Sequence, residues 1–296
     1  MTEHRPYDDR DGWIWFDGSL RPWREANVHV LTHALHYASS VFEGQRAYGG
    51  EIFKLSDHSR RLKKSATILG MELPWSVEEL DQACRETLEA NGLQDAYMRP
   101  VAWRGSEQMG VTAAKATPHV AIACWSWGAY FGEEAIRKGL RLDISPWRRP
   151  APYTAPTDSK ASGLYMICTM ARQAAEVRGY DDAMMFDWRG QVAEATGANA
   201  FFIREGVLHT PTPDCFLNGI TRQTVIDLAR RRGIEVIERT IWPEELESFE
   251  QCFLTGSAAE VTPVAEAGPW RFEVGDLTMQ LRKDYLDLVN RRLPNN

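Results

Sequence analysis

The stretch 152-PYTAPTDSKASGLYMICTMARQAAEVRGY-180 presents Lys160 where proline and small polar residues give way to a helical pattern. Leu164, Ile167, Cys168, Ala171 and Ala174 share roughly one face of that helix, and Gly179 stops it. A lysine there is an ordinary solvated ammonium if exposed. If buried, desolvation drives it toward the neutral amine that forms Schiff bases. In 217-LNGITRQTVIDLARRRG-233, Gly219 precedes a first helical turn where the backbone of Ile220 and Thr221, the helix dipole and the Thr221 hydroxyl suit a phosphate. The same residues suit an Asn-Gly turn that merely caps a helix. In 254-LTGSAAEVTP-263 a strand ends in Gly256 and Ser257, followed by Ala258 and Ala259. Small residues let a backbone approach a ligand closely, and they also make a plain strand-end turn.

Glu194 interrupts the strand-like run 191-QVAEATGANAFF-202. A carboxylate buried there needs a partner, either a structural cation or a ligand, because leaving it unpaired costs several kcal/mol or forces it to protonate. Tyr37, Phe42, Tyr97, Arg99, Trp127 and Tyr130 form an aromatic and cationic set. Core packing accounts for most of the rings, but Arg99 within AYMRPVAW requires an acidic partner or a ligand.

The elements that must position these residues follow from the periodicities. Residues 13–23 predict a hairpin about Asp17-Gly18, and 41–55 a second strand pair turning at Gly49-Gly50. Helices are predicted over 57–69 and over 76–91, the latter opened by a capping box of Ser76 with Glu79. Alternation returns in 96–105 and 118–127, which makes 1–130 a compact small α+β domain. Glycines bracket 128–139, so 131–140 is read as the interdomain connection and 141–296 as a larger domain. That domain is expected to hold a strand at 140–149, the Lys160 helix, strands at 182–188, 191–203 and 207–211, and a helix over 221–233 capped by Gly233. Strands at 234–239 and 251–257 and a helix near 275–291 follow.

The 296 residues are 44% hydrophobic and 25% charged, as in a soluble globular protein, with a formal net charge of −7. The arginines fall in short separated groups rather than one basic stripe, which argues against nucleic acid as a partner. Five scattered cysteines without a C-x-x-C pair suggest neither a metal site nor a disulfide framework. The polar start MTEHRPYDDRDG lacks an apolar signal core and no long apolar run follows, so the expectation is a cytoplasmic protein without a membrane partner.

Taken in order, 30-VLTHALHYASSVFEGQRAY-48, 96-AYMRP-100, 125-WSWGAY-130, APTDSK with Tyr165 five residues beyond Lys160, AEATGAN, LNGITR and TGSAAEVTP resemble the branched-chain amino acid aminotransferases. These are fold-type IV enzymes dependent on pyridoxal 5'-phosphate, and the resemblance runs from about residue 13 to 265. It implies a two-domain α+β fold whose larger C-terminal domain contains a barrel-like sheet. It also implies that Lys160 carries the cofactor as a Schiff base and serves as general base. Glu194 would meet the pyridine nitrogen, Tyr165 the phenolic oxygen, and Arg61, Gly219, Ile220, Thr221, Gly256 and Ser257 the phosphate. Tyr37, Phe42, Met109, Val111, Trp127 and Tyr130 would form an apolar substrate pocket. Ala258, Ala259 and Tyr97 would receive the α-carboxylate, and Arg99 the distal carboxylate of 2-oxoglutarate or glutamate. Met109 and Val111 would come from the other subunit of a homodimer. The implied reaction is ping-pong transamination of L-leucine, L-isoleucine and L-valine. The same fold hosts D-amino acid and R-amine transaminases and an aminodeoxychorismate lyase, but the Arg-x-His pair of D-specific relatives is missing from 106–119. The chain departs from the family pattern with Leu164 in place of a usual Asn, Ala198 where many relatives carry Glu, and Ser257 for a common Thr.

Overall fold

The computed structural model describes residues 5–128 and 131–292. The chain forms two compact units, one taking residues up to Trp127 together with Ser159–Gly163, the other Gly128–Asp158 and the chain from Leu164 onward. Ser159–Gly163, assigned from sequence to the second domain, thus packs with the first unit. The Ser159 hydroxyl donates to the Ser65 carbonyl at 2.9 Å, the Lys160 N–H donates to Ser65 Oγ at 3.0 Å, and Ala161 bridges Val41.

The first unit contains strands β1 (Trp13–Phe16), β2 (Ser19–Pro22), β3 (Ser40–Phe42), β4 (Gln45–Tyr48), β5 (Glu51–Ile52), β6 (Ala96–Arg104) and β7 (Pro118–Trp125). Its helices are α1 (His33–Tyr37), α2 (Leu55–Ile68) and α3 (Val77–Ala90). The strands form one antiparallel sheet in the order β2-β1-β7-β6-β4-β5, with β3 also on β6. Both predicted hairpins turn through consecutive positive φ angles, 49° and 101° at Asp17 and Gly18 and 52° and 83° at Gly49 and Gly50, a pairing that matches strand twist. The Ser76–Glu79 capping box opens α3, with Glu79 N–H on Ser76 Oγ at 3.1 Å and Ser76 N–H on Glu79 Oε2 at 2.7 Å.

Alternation along β6 and β7 separates two faces. Ala96, Met98, Ala102, Val120, Ile122 and Cys124 pack with Leu62, Ala66, Leu80 and Leu88 of α2 and α3. Tyr97 and Arg99, of opposite parity, emerge on the other face, where Tyr97 pairs with Trp125 and Arg99 with Ala123.

In the second unit the strands are β8 (Leu140–Ile144), β9 (Asp182–Phe186), β10 (Val192–Ala195), β11 (Asn199–Arg204), β12 (Val207–Pro211), β13 (Val236–Arg239), β14 (Gln251–Gly256), β15 (Glu260–Ala267) and β16 (Trp270–Arg271). Six of them close a barrel in the order β8-β9-β10-β11-β14-β15, since β10 pairs with β11 and β15 returns to β8. Its core includes Leu142, Met184, Ala200, Phe202, Cys252, Leu254 and Val264. Helices α4 (Glu133–Lys138), α5 (Met166–Val177), α6 (Ile220–Arg231) and α7 (Asp276–Val289) complete the unit, with α5 on β9, α6 on β14 and α7 on β15.

Two local readings change. The run 191–203 is not one strand but a hairpin bent at residues 196–198, where Ala195 N–H reaches the Ala198 carbonyl at 2.8 Å and the Thr196 hydroxyl holds Asp182 at 2.5 Å. Glu194 is thereby paired with Asn199. Residues 133–138, inside the stretch read as a connection, form a helix that packs on β15. No helix among the described residues is long and apolar enough to cross a membrane.

Candidate active site

Within the first unit, Lys160 is clamped through its backbone. Its N–H donates to Ser65 Oγ on α2, and its carbonyl accepts the Phe42 N–H of β3 at 3.2 Å. Its side chain is half-buried, with Nζ 4.9 Å from the centre of the Phe42 ring. Burial, helped by the nearby Arg61 cation and opposed by Glu43, lowers its pKa to about 8. The deprotonated, neutral amine is therefore within easier reach near neutral pH than in an ordinary lysine.

Arg61 lies on α2 and clasps Glu43 in two bonds, Nε to Oε1 at 2.6 Å and Nη2 to Oε2 at 2.8 Å. Glu43 is fully buried and also meets His58 Nδ1 at 2.6 Å. Burial would raise its pKa, but Arg61 and His58 overcome that and hold it well below the usual carboxylate range. The His58 pKa is lowered, burial outweighing the attraction of Glu43.

Arg99 stands over the Phe42 ring at 4.7 Å and donates from Nη2 to Tyr97 Oη at 2.9 Å. Its Nε is buried without a hydrogen-bond partner among the described residues. Tyr97 in turn meets Trp127 edge-on, ring centres 4.3 Å apart. Gly44 is required here by space, since a Cβ on it would come within 2.2 Å of Tyr97 Oη. Phe42, Tyr97, Arg99, Trp127 and Lys160 are thus brought together. Tyr37, Met109 and Val111 are instead exposed at 43%, 43% and 86%. Tyr37 packs on His33, whose Nε2 meets the Gly110 carbonyl at 2.9 Å and so ties down the segment carrying Met109. Tyr130 lies outside the described residues.

Within the second unit, Glu194 is held by two polar neighbours. Asn199 Nδ2 donates to Oε2 at 3.1 Å, and Arg149 Nε lies 3.4 Å from Oε1. Burial works against the charge of Arg149, yet Glu194 beside it, with smaller help from Cys168 and Tyr165, leaves its pKa raised. Tyr165 is half-buried at the end of a 3-10 turn, Ser162–Tyr165, that leads into α5. Gly219 is the N-cap of α6, so the first amides of Ile220 and Thr221 have no partner within the helix, and Thr221 is buried. Gly256 ends β14, and Ser257, Ala258 and Ala259 form the turn into β15.

Residues 40–267 match the family described as amino-transferase class IV. The chain belongs to the class IV aminotransferases. A branched-chain-amino-acid aminotransferase of Pseudomonas aeruginosa is 44% identical over 289 residues, 95% of this chain and 94% of that one. Among solved structures, the branched-chain aminotransferase of Thermoproteus uzoniensis, crystallised with norvaline, superposes with a TM-score of 0.91 at 38% identity, covering 96% of each chain. The branched-chain amino acid aminotransferase of Thermobaculum terrenum, in its pyridoxal 5'-phosphate form, gives 0.87 at 32% identity over 95% of each. These likenesses extend over both units, as the order of the sequence motifs implied.

Five residues that hold the candidate groups of this class IV aminotransferase were not singled out from sequence: Glu43, His58 and Ser65 in the first unit, and Arg149 and Asn199 in the second. For Glu43 a signal was present, because a carboxylate between Phe42 and Gly44 in a strand-like run is the same anomaly that drew attention to Glu194. His58 and Ser65 face the site only because α2 places positions three and four apart on one side. Arg149 and Asn199 become visible only when the partners of Glu194 are known.

Proposed function

We propose that the protein transfers the amino group between L-leucine, L-isoleucine or L-valine and 2-oxoglutarate, in two half-reactions on pyridoxal 5'-phosphate. The observation that carries this reading is the cluster around Lys160: an amine of lowered pKa beside an aromatic wall that also contains an arginine with an unused buried donor. The residues fit the cofactor by their chemistry. Lys160 supplies a readily deprotonated amine, and Glu194 a carboxylate held by Arg149 and Asn199. Arg61, the first turn of α6 at Gly219, Ile220 and Thr221, and Gly256 with Ser257 supply donors suited to a phosphate.

When bound, the cofactor supplies an electron sink for the pair released as the substrate Cα–H bond breaks. Lys160 Nζ would be the base that takes the proton from the substrate Cα and holds it for return in the transfer. Glu194 would hold the cofactor's ring nitrogen in its protonated form, and Tyr165 would donate a hydrogen bond to the ring's phenolic oxygen. Phe42 and Trp127 would wall an apolar side chain from water, at about 0.8 kcal/mol for each buried CH₂, and the family resemblance adds Tyr37 and Tyr130 to that wall. Tyr97 with the Ala258-Ala259 turn takes the α-carboxylate, and Arg99 takes the second carboxylate of 2-oxoglutarate, so one site admits both side-chain types.

The enzyme works as a homodimer in which Met109 and Val111 of each chain complete the other's substrate site. Support comes from their exposure as large apolar side chains on a segment tied to His33. It acts in the cytoplasm, a reading with which five free, buried cysteines agree.

The test is a panel of L-leucine, L-valine, D-alanine, (R)-1-phenylethylamine and aminodeoxychorismate, followed by the cofactor's absorbance. L-leucine and L-valine are expected to react fastest. Dominant turnover of D-alanine or the amine, or pyruvate release from aminodeoxychorismate, would overturn the assignment. In Arg99→Ala, loss of charge-assisted bonds should weaken 2-oxoglutarate about 10- to 100-fold while leaving L-leucine nearly unchanged. Equal losses for both substrates would remove Arg99 from the distal carboxylate.

A further inference from the structure

Asn199 ties two parts of the second unit together through one side chain. Its Nδ2 donates to Glu194 Oε2 at 3.1 Å and to the Leu217 carbonyl at 3.0 Å, and its Oδ1 accepts the Gly219 N–H at 3.2 Å. It is only 5% exposed, so water does not offer ready replacements for these bonds. An amide can make about four hydrogen bonds, and three of them are committed here.

The placement is fixed from both sides. Glu194 and Asn199 face each other between β10 and β11, and Asn199 faces Thr255 between β11 and β14, so the three side chains leave the barrel wall on one face. From the other direction, Gly219 presses against the amide. A Cβ on Gly219 would lie 2.2 Å from Asn199 Oδ1, although its φ of −59° and ψ of 141° suit any residue. Glycine at 219 therefore answers to space, and what occupies the space is Asn199.

We propose that Asn199 is a positioning residue for transamination, fixing the Glu194 carboxylate and the Leu217–Gly219 turn that opens α6 against each other. This rests on the reading that Glu194 serves the pyridine nitrogen and the α6 turn the phosphate. A rigid cofactor has a fixed span between those ends. An error of orientation at either carries over to the other, and one amide that bonds both removes that freedom.

Two variants separate the two arms. Asn199→Leu, close in volume, removes both. Asn199→Asp keeps an acceptor for the Gly219 N–H but loses the donor to Glu194 and to the Leu217 carbonyl. The apoprotein of each is titrated with pyridoxal 5'-phosphate and with pyridoxal, which lacks the phosphate, and kcat and KM for L-leucine are measured on the reloaded enzyme. In Asn199→Leu the preference for the phosphorylated form should fall about tenfold and kcat at least about tenfold, with KM for L-leucine little changed. In Asn199→Asp, which keeps the Gly219 acceptor but sets a second carboxylate against Glu194, kcat should fall similarly while the phosphate preference falls clearly less than in Asn199→Leu. Wild-type kcat in either variant, or an equal loss of phosphate preference in both, would overturn the proposal. A wild-type protein that binds no pyridoxal 5'-phosphate would instead remove the underlying reading. Should Asn199→Leu fail to fold, Asn199→Asp alone decides, because retained kcat there refutes the Glu194 arm and a loss of phosphate preference of about tenfold or more, with the Gly219 bond kept, refutes the Gly219 arm.

Discussion

Replacing Lys160 with methionine should abolish transamination and at the same time make the apoprotein more stable. The pKa of Lys160 falls from an ordinary 10.5 to about 8 because burial and Arg61 disfavour its charge. Below pH 8 both folded and unfolded chains hold the proton, and the folded state bears the full cost of the buried charge. Between pH 8 and about 10.5 the unfolded chain binds more protons than the folded one, so stability rises with pH, and above that window the cost is gone. At about 1.4 kcal/mol for each pKa unit, and allowing for a half-buried side chain, Lys160→Met should gain about 2–3 kcal/mol at pH 7. The gain should shrink toward zero as pH approaches 10.5. Urea unfolding of the two apoproteins across this range measures it. Arg61, Glu43, Tyr97 and Arg99, the charged and titratable groups acting on Lys160, are common to both proteins, so the difference isolates the lysine. No gain at neutral pH, or a gain that does not change with pH, would refute the account of Lys160 as a strained, functionally retained amine.

Glu43→Gln should cost about 3–5 kcal/mol at pH 7, because it leaves the Arg61 guanidinium, with a side chain only 16% exposed, without its buried counter-charge. The folded pKa of Glu43 is depressed, so its contribution is present above the ordinary carboxylate range and is lost as pH falls toward the folded value. The gap between wild type and variant in urea should therefore close in acid, and a constant gap would refute the ion-pair origin. Gly219→Ala should destabilise through the 2.2 Å approach to Asn199 Oδ1, and Asn199→Ala should relieve part of that loss. A double-mutant cycle should show a coupling of about 1 kcal/mol or more, whereas additive effects would separate the two positions.

Hairpin turns, the capping box and the α6 start were legible in the sequence because each depends on residues adjacent in the chain. Asp17-Gly18, Gly49-Gly50 and Ser76 with Glu79 specify backbone geometry locally, and each forms as expected. The barrel's closure was less legible. It depends on the parallel return of β15 to β8 and on the bend at residues 196–198, and neither follows from local alternation. β15 in particular, Glu260–Ala267, is buried along most of its length and so has no two-residue period to announce it. Among candidate site residues, Glu194 and Arg99 stood out by an unusual type in an unusual setting, whereas Lys160 gained weight only from the motifs downstream of it. Residues that act by holding those, such as Asn199 and Ser65, have ordinary types in ordinary positions until their partners are located.

Glu43 shows why the holders matter to the chemistry. His58, Arg61 and Ser65 are spaced so that one side of α2 presents all three, and through them this helix grips both the Glu43 carboxylate and the Lys160 backbone. A guanidinium so close to a half-buried lysine lowers the lysine's pKa, and Glu43 raises it. The two opposing fields come from one ion pair, so the lysine feels their difference rather than either alone. Desolvation is the largest cause of the shift, Arg61 adds to it, and Glu43 limits how far it goes. An Arg61 without Glu43 would still offer a cation to a phosphate, but it would push Lys160 further toward the neutral amine before any ligand arrived. The buried carboxylate lets a cation suited to a phosphate and a titratable lysine share one small unit with the lysine's pKa held at about 8.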